Sequence, residues 1–111
     1  MKIYLSGKIS GLFPELAEAN FAKALEKVKL AYPDAEVINP MRIAEMYPRK
    51  VKEPEMFYYR RILAIDMYFL SKCNLLIVLP NGRDSEGSKA EVAFAKACGI
   101  KIVKDFNFNF K

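Results

Sequence analysis

"NLLIVLPNGRDSEGSKAEVAFAKACGIKIVK", residues 74–104, changes character three times. Residues 74–80 form a continuous apolar run, the pattern of a strand at the centre of a parallel sheet with both faces covered. A polar loop rich in Gly and Ser follows, then a helical pattern from near Ser88 to Cys98 with Gly99 as its C-cap, then a short strand "IKIVK". Strand, loop, helix and strand in that order make a parallel crossover unit, and this decides the fold class.

Working outward, the same alternation repeats. "KIYLS" (2–6) reads as a strand closed by "SGKISG", and Pro14 fits the first turn of a helix, where its missing N–H is no loss. Leu16, Phe21, Leu25, Val28 and Leu30 recur at roughly helical spacing until Pro33 stops the pattern. "AEVIN" (35–39) is a second strand ended by Pro40. Residues 40–54, broken by three prolines and rich in basic side chains, predict a mobile connection with one helical turn around Ile43 to Met46. "EMFYYRRILAIDMYFLSKC" (55–73) is apolar almost all round from Ile62 to Leu70, which predicts a well-buried helix. The chain is therefore expected to be one α/β domain over residues 1–111. Its architecture is a three-layer sandwich with a parallel four- or five-stranded sheet, Rossmann-like or flavodoxin-like.

Composition narrows the chemistry. Hydrophobic residues make up 52% and charged residues 28%, a globular balance. The longest apolar run, Leu75 to Leu79, is far short of the roughly 20 residues a membrane span needs. No basic-then-apolar leader precedes "KIYLS", so a cytoplasmic protein with no membrane partner is expected. Cys73 and Cys98 lie in apolar helical surroundings and read as buried free thiols. The net charge of +5 suits an anionic partner or simply a solubilising surface. With no groove-reading motif, a small phosphorylated ligand is favoured over nucleic acid. Histidine is absent, so acid–base work falls to carboxylates, Tyr, Lys or Cys; His-dependent triads and His-containing zinc sites are excluded. Nothing in the sequence asks for a metal or a cofactor.

Two glycine-bearing loops leave strand ends and feed helix N-termini, where free N–H groups favour an anion. The first supplies Gly7, Lys8, Ile9, Ser10 and Gly11; the second supplies Asp84, Ser85, Gly87 and Ser88. Ordinary turns use the same residues, and neither loop is a P-loop or a dinucleotide fingerprint. The carboxylates carry more information. Asp66 stands among Ile62, Leu63, Phe69 and Leu70, where a carboxylate needs a partner or holds its proton. Glu91 has two readings. "SKAE" (88–91) is a capping-box pattern, in which Glu91 reaches back to the N–H of Ser88. Alternatively Glu91, Asp66 and the phenol of Tyr4 meet at the loop-bearing end of one sheet, an arrangement suited to glycosidic chemistry.

"KIYLSGKISG", "VINP", the Asp66 helix, "CNLLIVLP" and "DSEGSKAEVAFAKACGI" resemble, in order and over nearly the whole chain, the nucleoside 2-deoxyribosyltransferase-like superfamily. The closest likeness is to small phage and bacterial members of unassigned function, and the opening is similar to deoxynucleoside 5′-monophosphate N-glycosidases. The resemblance implies cleavage of the N-glycosidic bond of a (deoxy)nucleoside 5′-monophosphate or nucleoside, by hydrolysis or transfer. It assigns Glu91 as nucleophile, Asp66 as the group that handles the base and Tyr4 as the residue that positions the nucleophile. The family's further acid does not match: Asp84 is one position early and Ser85 stands in its place, a serine that resembles the phosphate-binding members, and Lys8 and Ser10 support that choice. The resemblance also implies a homo-oligomer that lends a segment to its neighbour's site. The tail "FNFNF" (106–110) fits either that segment or a final strand with one buried face. A non-catalytic nucleotide-binding module or sensor is the alternative.

Overall fold

In "KIYLS" the side chains alternate between the two faces of a strand, and both faces are apolar enough to be covered. The computed structural model, which describes residues 1–106 and residue 108, places this strand, β1 (Lys2–Ser6), inside a four-stranded sheet. The other elements are α1 (Pro14–Ala31), β2 (Glu36–Ile38), α2 (Pro40–Met46), α3 (Glu55–Leu70), β3 (Leu75–Val78), a 3-10 turn (Pro80–Asp84), α4 (Glu86–Cys98) and β4 (Lys101–Val103). The strand order is β2-β1-β3-β4, and every pairing is parallel. The α/β class expected from the crossover units holds, with four strands among the described residues and a flavodoxin-like order. The chain moves from β1 to β2 on one side and returns to β3 on the other, so the crevice between β1 and β3 is the switch point, where such sheets bind ligands.

Register sorts the strand residues onto two covers. Ile3 and Leu5 of β1, with Leu75, Ile77 and Leu79, pack against Phe21, Ala24 and Val28 of α1. Tyr4 of β1, with Leu76 and Val78, faces Ile43 of α2, Leu70 of α3 and Ala95 of α4. The result is one helix on one face and three on the other. At the end of β1 the backbone of Gly7 runs tight against the α1 layer. An added Cβ would lie 3.0 Å from a methyl of Leu79 and 3.1 Å from the ring of Phe21, so only glycine fits without displacement. Gly99 ends α4 at φ 72°, the left-handed C-cap conformation expected from the sequence.

Several local expectations are corrected. The buried stripe of α1 is Ala17, Phe21, Ala24 and Val28, whereas Leu16 and Leu30 are exposed. Small alanines at the contact let the helix lie close to the sheet, so the larger leucines are left outside. In residues 40–54 the expected helical turn around Ile43 to Met46 is present as part of a longer helix, and the rest, where a mobile connection is expected, is tied down by side-chain hydrogen bonds. The first half is α2, whose N-cap Asn39 accepts the N–H of Met41. The second half is tied to α3: the Arg61 guanidinium pairs with both oxygens of Glu53 and donates to the carbonyl of Pro48, while the Tyr58 hydroxyl donates to the carbonyl of Tyr47. The α3 helix is less buried than its composition implies. Only Leu70 is fully covered, and Met56, Phe57 and Tyr68 are exposed, because the helix is held at the rim by α2 and α4 and not between two layers. Cys73 is buried as expected, but Cys98, in the last turn of α4, is exposed. Phe106 and Phe108 lean on each other and on the α1-side core, while Phe110 of the expected tail strand lies outside the described residues.

Candidate active site

Because Ile3 and Leu5 face α1, Tyr4 and Ser6 must face the other way, and both are fully buried there. The α4 helix crosses this face and presents Ser88, Glu91 and Ala95, one turn apart, to the sheet. Glu91 is only 5% exposed. Its Oε2 accepts the Tyr4 hydroxyl at 2.5 Å and its Oε1 accepts the Ser6 hydroxyl at 2.7 Å. The Ser6 and Ser88 oxygens are 2.9 Å apart. A hydroxyl has one proton, so with Ser6 donating to the carboxylate, Ser88 donates to Ser6. Two hydroxyls, Tyr4 and Ser6, thus reach one buried carboxylate directly, and Ser88 reaches it through Ser6.

This geometry decides between the two readings of "SKAE". The N-cap of α4 is Ser85, three residues before Ser88, and its Oγ accepts the N–H of Ser88 at 3.1 Å. Ser88 is therefore inside the first turn, and Glu91 does not cap. The helix starts earlier than its apolar pattern because Glu86 and Gly87 are compatible with a first turn that carries no core contact.

Asp66, on α3, faces the same region. Its Oδ1 is buried without a hydrogen-bond partner among the described residues. Burial, and secondarily the charge of Glu91, push its proton affinity up to about pKa 8. Burial raises the Glu91 pKa to about 7, against the opposing pull of the Tyr4 and Ser6 hydroxyls. The Tyr4 phenol is driven well above its ordinary value, first by burial and then by the two carboxylates, so it stays a donor. Tyr4 and the half-buried Asp66 thus both feel the charge of Glu91.

The two loops expected to hold an anion converge at the crevice between β1 and β3. The backbone N–H of Lys8 donates to Asn81 Oδ1, and the N–H of Leu79 donates to the carbonyl of Ser6. Gly7 is buried and Lys8 half-buried, while Ile9, Ser10 and Gly11 are exposed at the rim. In the second loop Asp84 is exposed, Ser85 is engaged as the cap, and Gly87 lies beneath the Tyr59 hydroxyl, 3.9 Å from where a Cβ would stand. Ser88 points inward to Ser6 and away from the loop mouth. Sequence reasoning missed three contributors. Ser6 was detectable as the polar residue two positions after Tyr4 in a buried strand. Tyr59 was detectable as the residue seven before Asp66 on α3, hence on its face. Asn81 carried no signal beyond its place in a turn. Among the described residues no group of three or more Cys, Asp or Glu side chains is arranged to hold a metal ion, and no helix is long and apolar enough to cross a membrane.

Fold and site together define a small parallel α/β domain with a buried carboxylate held by hydroxyls at the switch point of its sheet. The chain belongs to the family described as "Domain of unknown function (DUF4406)", whose pattern matches residues 1–104. Comparison with curated proteins and with solved structures finds no match in either.

Proposed function

We propose that the protein cleaves the N-glycosidic bond of a (deoxy)nucleoside 5′-monophosphate, with Glu91 as nucleophile. The observation that carries this reading is the pair of hydroxyls, Tyr4 and Ser6, donating to the two oxygens of a buried Glu91, near Asp66, whose buried Oδ1 has no hydrogen-bond partner among the described residues and whose pKa burial pushes up to about 8. Neighbouring carboxylates with separated proton affinities can divide the roles of nucleophile and acid. In the first step a Glu91 oxygen bonds to the anomeric carbon as the carbon–nitrogen bond breaks, and the departing base takes the proton of Asp66. In the second, water attacks the same carbon, gives a proton back to Asp66 and frees Glu91 with the sugar phosphate. Tyr4 and Ser6 keep one Glu91 conformer and steady its charge. The loops around Gly7 to Gly11 and Ser85 to Ser88 would receive the phosphate, with Lys8 a half-buried cation in the first of them.

Incubation with a panel of nucleotides and nucleosides, with chromatographic detection of free base, tests the reading. Release that vanishes in Glu91→Gln supports it; no release at high enzyme concentration sinks it. Saturable binding without release would favour a nucleotide-binding module, a reading supported by the near-complete burial of Glu91 and by Ser85 serving as a cap where an acid stands in the resembled enzymes. The same proposal has the protein act as a homo-oligomer that covers the exposed Met46, Tyr47, Val51, Met56 and Phe57. Analytical ultracentrifugation reads that directly: a monomer at high concentration removes it.

A further inference from the structure

On α4, Lys89, Ala93 and Lys96 lie at helical spacing on the side of the helix away from Glu91, with Val92 at their edge toward the core. They form one wall of a cleft of about 780 Å³. Its other walls are the 3-10 turn, with Pro80 and Arg83, and Lys104 just after β4. The floor is apolar, made by Val78, Leu79 and Val92. Four cations from three separate segments therefore converge on one concavity, and among the described residues no carboxylate lines it. Lys89 is paired with Glu86 at 3.2 Å; Arg83, Lys96 and Lys104 have no acidic partner among the described residues.

We infer that this cleft is a binding site for a small organic polyphosphate, a di- or triphosphate carried on a flat ring. Several negative charges match the cations, and the apolar floor takes the ring; the volume falls in the range of about 300–1,000 Å³ that such ligands occupy. A nucleic-acid strand is the poorer fit, because the cations close around a pocket and do not follow an extended track. The cleft shares only Ser88 with the carboxylate site. Tyr4, Ser6, Asp66 and Glu91 do not line it, so the inference does not depend on the glycosidase reading.

Isothermal titration calorimetry with adenosine 5′-triphosphate, inorganic tripolyphosphate and adenosine tests it on three proteins: wild type, Glu91→Gln, and the double variant Lys96→Glu with Lys104→Glu. Both lysines are exposed, so circular dichroism should show the double variant folded. The expected result is one saturable site for the triphosphate, unchanged in Glu91→Gln and weakened about tenfold or more by the double charge reversal. Tripolyphosphate should bind more weakly and adenosine more weakly still. Absence of saturable binding, binding that survives the double reversal, binding lost in Glu91→Gln, or tripolyphosphate equalling the nucleotide would each overturn the assignment. Saturation by a single-stranded DNA oligonucleotide alone, weakening steeply with salt, would overturn it as well.

Discussion

The two faces of β1 are equally dry and chemically opposite. Ile3 and Leu5 on one face, and Tyr4 and Ser6 on the other, are all fully buried. The α1 face meets only hydrocarbon from Phe21, Ala24 and Val28, so its burial stabilises the fold and does nothing else. The α4 face meets a carboxylate, so the same exclusion of water raises proton affinities and sharpens hydrogen bonds. One strand thus separates a packing layer from a chemical layer by a shift of one residue.

Four variants and one pH profile would break or sharpen that contrast. The largest effect is expected from Glu91→Gln, which keeps the shape and removes the charge: base release should fall on the order of a thousandfold or more, with the far-ultraviolet spectrum unchanged. In the wild type the same assay should show a narrow bell against pH. Activity rises as Glu91 loses its proton near pH 7 and falls as Asp66 loses its own near pH 8, with both limbs belonging to the coupled pair. A flat profile from pH 5 to 9 would speak against two titrating carboxylates.

Next comes the packing layer. Phe21→Ala should lower the unfolding free energy by about 3–5 kcal/mol, measured in urea, because it opens a void against Ile3, Leu5 and Leu79. The activity–pH profile of the molecules that remain folded should keep its shape, since no titrating group is touched.

Asp66→Asn should have the opposite sign. The folded-state pKa of Asp66 is raised from 3.8 to about 8, so the stability its proton confers is full below about pH 4 and is lost as pH rises through 8. Glu91 behaves alike between 4.5 and about 7. Unfolding in urea should therefore favour Asp66→Asn over wild type at pH 9 by on the order of 2 kcal/mol and show little difference at pH 4. A variant less stable than wild type at pH 9 would mean that the carboxylate has a partner that compensates its charge.

Ser6→Ala is the smallest. It removes one hydroxyl from Glu91 and leaves Ser88 without its acceptor, so about 1 kcal/mol of stability should go. Under the proposed function kcat should drop about tenfold with KM little changed, and the Glu91 limb of the pH profile should move up, because a donor to the carboxylate is gone. Ser6→Thr should restore most of the rate. A purely structural serine would lower stability without moving the pH limb.

Much of the architecture was legible along the chain. Apolar runs at 2–6 and 74–80, separated by helical patterns and closed by Gly and Pro, specify a parallel α/β sandwich because each element's period dictates which faces it must cover. The helix carrying Asp66 and the strand carrying Tyr4 were visible for the same reason. In residues 40–54 the helical turn around Ile43 to Met46 was legible, but the full length of α2 and the Glu53–Arg61 pair were not, because prolines and basic residues report local breaks while those features depend on what lies beside them. The stripe of α1 was misjudged because apolar periodicity weights large leucines over the alanines that allow close approach.

By itself the sequence determined that Tyr4 and Ser6 share a face, that Asp66 lies amid apolar neighbours, and that no imidazole takes part in any chemistry here. Local periodicity and composition suffice for those. Only the tertiary structure decided the fate of Glu91. Two serines, Ser85 and Ser88, competed locally to begin α4, and the hydroxyls that settled the matter belong to residues 87 and 85 positions away in the chain. They meet Glu91 because β1 pairs with β3 and α4 folds back across both. Once a carboxylate is buried there, hydrogen bonds to those hydroxyls replace the water it has lost, which a cap at the exposed helix end could not do.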